Sequence, residues 1–383
     1  MFEVFWAFLG LGLTSFGGPV AHLGYFRREF VDKRKWLSEP DYAAILSLCQ
    51  FLPGPASSQT GFCIGLTRAG WRGAAAAWAG FTLPSAIAMF FIAREAAWFG
   101  ASRLGAALLH GLQLAAIAVV AQAVWTMARS LCPDTPRRIL ALATLLVAAL
   151  IPGTPGQLAV LVIGAAAGKF FLQATPAVQE PSPINISRRA GSFCIAGFFC
   201  LLLLAFLMRG HGDFALFGAF YRTGALVFGG GHVVLPLLHD AIVTPGWIST
   251  GAFLAGYGAA QAMPGPLFTV AAYLGALSST GAGGALGAVI ALIAIFLPGL
   301  LLVSGILPFW HDLKQQPNAA AAVMGLNAAV VGLLGYALIS LLRFGTIHNT
   351  YDILIVLLAL TALTWRKTPP IFVVLGCTIA STL

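Results

Sequence analysis

Two copies of a short motif, each inside an apolar stretch, carry the residues that could do chemistry. Residues 50–55 read Gln-Phe-Leu-Pro-Gly-Pro and residues 261–266 read Gln-Ala-Met-Pro-Gly-Pro, 211 positions later. Proline has no N–H and ends a helix, yet it suits the first turn of the next one. The backbone after each motif would therefore present free N–H groups and the positive end of a helix dipole. Such a helix start can bind an anion.

Polar and glycine residues near both motifs could complete an anion site. Hydroxyls and amides would donate hydrogen bonds, paired glycines would let the backbone approach closely, and a histidine could bind the anion or carry a proton. The candidate residues are Gly17, Gly18, His22, Gln50, Pro53, Gly54, Pro55, Ser57, Ser58, Gln59, Arg68, Arg72, Gly229, Gly230, His232, Gln261, Pro264, Gly265, Pro266 and Thr269. Structural alternatives stay open, because glutamines can join helices, histidines can make structural hydrogen bonds and arginines can anchor a helix at a membrane surface.

The repeat extends beyond the motif. Trp36-Leu37-Ser38 returns as Trp247-Ile248-Ser249, and Gly70 and Gly73 return as Gly281 and Gly284. Two halves with helix breaks at matching places are typical of secondary transporters.

The composition indicates an all-α polytopic membrane protein. The chain is 59% hydrophobic and 9% charged, whereas soluble proteins average roughly 25% charged residues. Apolar runs of helical length recur throughout, without the alternation of a β-barrel. The first run lacks a basic start and a cleavage site, so we expect a retained span. The surplus of nine positive charges lies in loops, which favours a role in membrane topology over nucleic-acid binding.

The domain organisation follows the repeat. We predict an N-terminal repeat over residues 1–172, a polar linker over 173–191, an additional transmembrane helix and connection over 192–213, and a C-terminal repeat over 214–383.

Each motif joins two arms that are too short to cross a membrane. Residues 41–52 and 56–67 give twelve residues each, roughly 18 Å against a hydrocarbon core of about 30 Å. The segment is therefore either a re-entrant helical hairpin or one broken span. Non-helical backbone at that depth must be buried in protein or line a cavity. Two such breaks predict one shared central cavity.

The charge distribution bears on orientation and on the site. Loop 26–40 is the most basic, which suggests the cytoplasm, and a re-entrant hairpin would keep later basic loops on that side. Arg68 and Arg72, which have no counterparts in the second half, could attract an anion at the cavity mouth. Glu29 and Asp41 are weaker candidates for gating or proton coupling.

Enzymatic signatures are absent. The chain has no phosphate loop, no His-Glu-x-x-His metal site and no dinucleotide fingerprint. Its six cysteines form no Cys-x-x-Cys pair. We therefore expect no enzyme, no cofactor and no metal site. A membrane-embedded enzyme, and a sensor or partner subunit without transport activity, remain the alternatives from other classes.

These motifs together resemble the chromate ion transporter family in its long two-domain form. The resemblance rests on residues 15–19 with His22, residues 50–55 with Gln59, residues 69–73 and 81–84, residues 228–232, residues 261–266 and residues 325–332. It covers nearly the whole chain except the linker.

The resemblance implies a multi-pass inner-membrane carrier that exports chromate, driven by the membrane potential or the proton gradient, and so confers chromate resistance. It also implies homologous halves of opposite orientation, and a homodimer is compatible with it. Chromate and sulfate are tetrahedral dianions of similar size, so transport or exchange of sulfate, or of another oxyanion, remains the alternative function.

Overall fold

The computed structural model describes residues 1–173, 184, 186–207, 210, 212–228, 231–314, 316–343, 346–366 and 368–382, and these form helices and their connections. The first half contains α1 (Phe2–Thr14), α2 (Gly18–Phe26), α3 (Glu39–Phe51), α4 (Ala56–Ala101), α5 (Arg103–Leu131), α6 (Thr135–Leu150) and α7 (Thr154–Phe171). After α8 (Arg188–Leu207), the second half contains α9 (Asp213–Leu226), α10 (Val234–Leu238), α11 (Thr250–Ala262), α12 (Val270–Leu277), α13 (Gly284–Ile306), α14 (Trp310–Lys314), α15 (Pro317–Arg343), α16 (Thr350–Thr364) and α17 (Pro370–Ala380).

Short turns of other helix types extend several of these helices. A π-helical turn, Arg27–Lys33, continues α2, and another, His239–Val243, continues α10. Turns of 3₁₀-helix precede α10 at Gly231–Val233 and α12 at Leu267–Thr269.

Six helical stretches of the described residues are long and apolar enough to cross a membrane, which makes the chain a multi-pass membrane protein. They are Ala56–Glu95, Arg103–Leu131, Thr154–Phe171, Arg188–Leu207, Gly284–Leu313 and Pro317–Leu342. The additional helix expected after the linker is α8. Most of the predicted linker lies outside the described residues.

The repeated Trp-x-Ser sequence marks the start of a helix in each half. The Ser38 hydroxyl accepts the backbone N–H of Asp41 at the start of α3, and the Asp41 carboxylate accepts the N–H of Ser38 in return. The Ser249 hydroxyl accepts the N–H of Ala252 at the start of α11. Asp41 therefore serves as half of a capping box.

Each Pro-Gly-Pro motif joins two helical arms that fold back on each other. Trp36 lies just before α3, the first arm of the hairpin, and Arg68 lies at the end of the second arm, which begins at Ala56. The Arg68 guanidinium is 5.2 Å from the centre of the Trp36 ring, so the far ends of the two arms meet. In the second half the N–H of Ser279 donates to the Trp247 carbonyl at 3.0 Å in the equivalent place. Of the two possibilities, a hairpin or one broken span, the structure contains hairpins.

Helix α4 then reverses direction at Ala69 and Gly70. Gly70 has φ 62° and ψ −157°, which is open to glycine but strained for other residues. The reversal brings Gly73 against Gly65 so closely that neither position has room for a Cβ. We call residues 56–68 the first arm of α4 and residues 71–101 the second arm.

The helices form two groups, which pack against each other mainly through α5 and α11 and share one hydrophobic core. Helices α1 to α4 pack with α9 to α13 around the two motifs, and we call this group the cavity bundle. Helices α5 to α7 pack with α15 to α17, and we call this group the outer bundle. In the outer bundle α15 approaches α7 closely, because Gly325 faces Gly164 and Gly168 without intervening side chains.

Candidate functional site

A small cavity lies between the two Pro-Gly-Pro hairpins. Its lining residues are Pro19, Pro55, Ala56, Ser57, Gly231, Pro266, Leu267 and Phe268. Both halves contribute, so the structure contains the shared cavity expected from two matched helix breaks. None of these eight residues carries a charged side chain.

Four helical segments begin at this cavity. Pro19 lies in the first turn of α2, and Ala56 is the first residue of α4. Gly231 starts the 3₁₀ turn that leads into α10, and Leu267 starts the one that leads into α12. A helix start carries a partial positive charge of roughly half an elementary charge. The positive ends of four helical segments therefore converge on one space.

Glycine allows the sharp turn of each motif. Gly54 has φ 120° and Gly265 has φ 90°, which L-amino acids with a side chain rarely adopt. The Gly54 N–H donates to the Val227 carbonyl of the other half at 2.7 Å, and the Gly265 N–H donates to the Ser15 carbonyl at 2.9 Å. Each hairpin is thus held by the segment that interrupts the helices of the opposite half.

Several donors at the start of α4 remain available to a ligand. In the described residues, no acceptor lies within hydrogen-bonding reach of the N–H groups of Ala56, Ser57 and Ser58. The Ser57 side chain lines the cavity, is 3% exposed and makes no hydrogen bond in that described part of the chain. The buried Ser58 hydroxyl is also without a partner there. An unpaired buried donor is costly unless a ligand or water satisfies it.

The Gln59 side chain is hydrogen-bonded within the first hairpin and to α13. Its side-chain Nε2 donates to the Pro53 carbonyl at 2.9 Å and to the Gly299 carbonyl of α13 at 3.0 Å. Its backbone N–H donates to the Pro55 carbonyl. Both side-chain N–H groups are occupied, so Gln59 braces the first hairpin against α13 and has none left to donate to an anion.

Thr269 is occupied in a similar way. Its hydroxyl and its backbone N–H both approach the Pro266 carbonyl, at 2.8 Å and 3.1 Å. In this conformation both donors of Thr269 are therefore occupied. Leu267 and Phe268 contribute free backbone N–H groups in the second half, judged over the described residues.

The two histidines make different contacts. His22 is fully buried, and its Nε2 lies 3.2 Å from the Ser15 carbonyl, the group that also accepts the Gly265 N–H. His232 follows the cavity residue Gly231, and its Nδ1 lies 2.9 Å from the Tyr257 hydroxyl. Both therefore lie just behind the lining. Gln261, one turn after Tyr257, has a buried Nε2 with no partner in the described structure.

Three predicted residues lie away from the cavity. Arg68 is exposed and pairs with Glu3 at 3.2 Å, about 18 Å along the first arm of α4 from Ala56. Arg72 is exposed beyond the reversal of α4, and Gln50 is exposed and hydrogen-bonded to nothing among the described residues. The arginines do not lie at the cavity, because the first arm carries them to its opposite end.

Of the two glycine pairs predicted to interrupt helices, the structure describes the first one. Gly17 and Gly18 have φ 103° and 76° and interrupt the helix between α1 and α2, which provides the expected second unwinding. Gly229 and Gly230 lie outside the described residues. Leu267 and Phe268 directly follow the second motif, where the sequence predicts free backbone N–H groups. Pro19 and Gly231 were not among the candidate residues, and their signal was their position directly after a glycine pair.

Glu29 is held in its charged form by its neighbours. Burial opposes ionisation, but hydrogen bonds from Arg34 and Lys33 keep the pKa of this carboxyl below its ordinary value. Arg34 Nε lies 2.6 Å from its Oε1. A carboxylate paired in this way is a poor proton carrier, which weighs against the coupling role considered for Glu29.

Comparison with known proteins gives one family across both halves. The sequence profile of the chromate transporter family matches residues 2–169 and again residues 214–382. No solved structure matches the chain.

Several curated proteins are similar over most of their length. A probable chromate transport protein of Synechococcus elongatus is 29% identical over 364 residues, 94% of this chain and 88% of that protein. The chromate transport protein of Pseudomonas aeruginosa is 29% identical over 356 residues, 88% of this chain and 80% of that protein. The chromate transport protein of Cupriavidus metallidurans is 27% identical over 355 residues, 92% of this chain and 84% of that protein.

Proposed function

Because this chain belongs to the chromate transporter family, it is a transporter and not an enzyme, and we propose that it exports chromate across the inner membrane by alternating access. The observation that carries the proposal is the convergence of four helix starts on one uncharged cavity. Export of chromate from the cytoplasm would confer chromate resistance.

The electrostatics of the cavity suit a dianion. Four helix starts of roughly half a charge each sum to about two positive charges, which balances the charge of chromate. The free N–H groups after the first motif and the Ser57 hydroxyl would supply hydrogen bonds to its oxygens. Sulfate has the same charge and shape, so transport or exchange of sulfate is the second candidate function.

The binding residues we propose are those that line the cavity or shape it. Pro55, Ser57 and Pro266 line it, and Gly54 and Gly265 set the turns. Ser58, His22, His232 and Gln261 form the layer behind, and Gln59 and Thr269 hold the hairpins in place.

We propose that the two halves have opposite orientations in the membrane. The first half starts at α1, where Glu3 pairs with Arg68 beside Trp36, and we call this end of the molecule the Trp36 face. The second half starts at α9, where Asp213 accepts the N–H of Ala282 close to the Trp247–Ser279 contact. We call that end the Trp247 face.

Helix α8 supports the inversion. Helix α13 begins beside Asp213 at the Trp247 face and runs for 23 residues, about 34 Å, past Gln59 of the first hairpin and toward the Trp36 face. Arg188, the first residue of α8, pairs with Asp312 beyond the end of α13. The 20 residues of α8, about 30 Å, then return the chain to the Trp247 face. This single additional crossing would invert the second half while all hairpins stay re-entrant.

The same arrangement satisfies the positive charges. Loop 26–40, the α5–α6 connection with Arg137 and Arg138, and the start of α8 would all lie at the Trp36 face. Arg94 and Arg103 would lie at the other face. The positive-inside tendency then assigns the Trp36 face to the cytoplasm. The charge distribution and the inverted halves are compatible if α8 is counted as a span.

Membrane potential would suffice to drive export. Moving one elementary charge through 100 mV changes its free energy by about 2.3 kcal/mol. Export of a dianion from a cytoplasm that is about 100 mV more negative than the outside therefore releases about 4.6 kcal/mol. A proton gradient would be a further source of energy.

The test is uptake of labelled chromate into inside-out vesicles with and without the protein. We expect energised vesicles to accumulate chromate and to lose it when a protonophore is added. Excess sulfate should compete with chromate if the site recognises only the charge and shape of the anion. No accumulation from correctly inserted protein would contradict chromate export. Accumulation of sulfate without chromate would favour the second candidate.

A further inference from the structure

A contact between α7 and the end of the helical stretch 231–243 joins the two bundles without touching the cavity. Gln157 Nε2 donates to Asp240 Oδ2 at 2.6 Å and to the Pro236 carbonyl at 3.3 Å. Gln157 is 5% exposed and belongs to the outer bundle, whereas Asp240 belongs to the cavity bundle. In the sequence Asp240 is a minor candidate, expected at the membrane edge, and Gln157 is not a candidate.

The contact lies at the Trp247 face. Gln157 is in the first turn of α7, which follows the α6–α7 connection at that end, and Asp240 is near the outer end of its helical stretch. Gln113 of α5 donates to the Gly251 carbonyl at the start of α11, 3.1 Å away, at the same face. Polar side chains therefore hold the cavity bundle to the outer bundle on the side proposed to face outward.

Asp240 differs from the carboxylates of the Trp36 face. There, Glu3 pairs with Arg68 and Glu29 pairs with Arg34, both permanent cations. Asp240 accepts from a neutral amide, and its neighbour His239 places Nδ1 3.6 Å from its Oδ1. A hydrogen bond between a carboxylate and a neutral amide lacks the second charge of those pairs, so less is lost when it opens.

Other groups on the neighbouring elements have different partners. Arg222 of α9 donates to the Ala205 carbonyl of α8, and Tyr257 of α11 is bonded to His232. From α11, the Phe253 ring is the group that faces His239. In the part of the chain that the structure describes, His239 contacts Asp240 at 3.6 Å.

We propose that Gln157 and Asp240 form the outer gate contact of the transport cycle. The contact holds the bundles together while the cavity is closed to the outside, and it separates when the cavity opens outward. The inference rests on the proposed function, because it assumes that anion export needs outward opening.

A reversible cross-link tests the gate. In a background without the native cysteines, Gln157→Cys combined with Asp240→Cys should be joined by a short bifunctional thiol reagent with a cleavable disulfide in its spacer. This cross-link should lower the initial rate of chromate flux at least about tenfold, and a reductant should restore the rate. The matched control is His110→Cys with Asp352→Cys. The native side chains of this pair meet within the outer bundle, with His110 Nε2 3.0 Å from Asp352 Oδ1, so the same cross-link should leave the rate unchanged. Full flux through the cross-linked Gln157–Asp240 pair would overturn the proposal.

One further measurement keeps gate and function separate. Chromate exchange in reduced protein reports transport itself, so an absence of exchange in the cysteine-free parent would count against the proposed function and not against the gate.

Discussion

The backbone N–H of Gly54 donates to the carbonyl of Val227 at 2.7 Å, so the turn of the first hairpin is anchored on the second half of the chain. The reciprocal bond runs from Gly265 to Ser15 at 2.9 Å. Each half thus holds the helix break of the other, and the cavity lies between the two anchored turns. A substitution in either turn should therefore alter the position of both hairpins at the cavity.

Substitution of either turn glycine should abolish transport. In Gly54→Leu the new Cβ would lie 2.9 Å from Gln59 Nε2 and 3.0 Å from the Gly299 Cα, at a φ that leucine avoids. In Gly265→Leu it would lie 3.0 Å from the Phe81 carbonyl and from the Ser85 hydroxyl. We expect normal membrane insertion but chromate flux reduced to background in both variants.

Gly376→Leu is the matched control for these two variants. Gly376 is an exposed glycine of α17, and no described atom lies within 4 Å of the position that a Cβ would take there. This change should therefore leave flux unaltered. Normal chromate efflux from the Gly54 and Gly265 variants would refute the cavity account.

Substitution of Gln59 should impair stability and transport much more than substitution of Gln50, although the two residues are close in the chain. Gln59→Leu leaves the Pro53 and Gly299 carbonyls without their donor, at about 1–3 kcal/mol for each unsatisfied group. We expect a lower melting temperature and loss of transport. Gln50→Leu removes an exposed amide that bonds to none of the described residues and should be tolerated. Thermal unfolding in detergent and vesicle flux measure both effects, and the reverse ranking would contradict the assignment.

The two arginines after the first arm should be dispensable for binding. Arg68 is 46% exposed in its pair with Glu3, and such surface pairs are worth about 0–1 kcal/mol. Arg68→Ala and Arg72→Ala should therefore change the half-saturating chromate concentration less than about twofold. A large rise in the half-saturating chromate concentration, in variants inserted at the normal level, would show that these arginines take part in chromate binding.

Labelling of single introduced cysteines tests the proposed inversion. Lys35→Cys lies at the Trp36 face and Gly246→Cys at the Trp247 face, at equivalent points of the two halves. We expect an impermeant thiol reagent to label Gly246→Cys in intact cells and Lys35→Cys only in inside-out vesicles. Labelling of both positions from the same side would exclude halves of opposite orientation.

Much of this architecture was readable in the sequence, because it follows from local chemistry. The repeated Pro-Gly-Pro motif required two helix breaks, and the membrane required those breaks to be covered, which together predicted one cavity. The roles of Gln59 and Arg68 were not predictable in this way. Gln59 bonds to Gly299, 240 residues away, and Arg68 pairs with Glu3, 65 residues away, and local patterns do not contain such contacts.

The most direct measurement is equilibrium binding of labelled chromate to the purified protein and to Ser57→Ala. The Ser57 hydroxyl lines the cavity without a partner in the described structure, and a hydrogen bond to an anion is worth about 1.5–3 kcal/mol. We predict saturable binding that Ser57→Ala weakens about tenfold or more, while Ser130→Ala, whose hydroxyl approaches the Met127 carbonyl in α5, leaves it unchanged. Equal affinity of the wild type and Ser57→Ala, with binding lost instead in Arg68→Ala or Arg72→Ala, would contradict an anion held by converging helix starts.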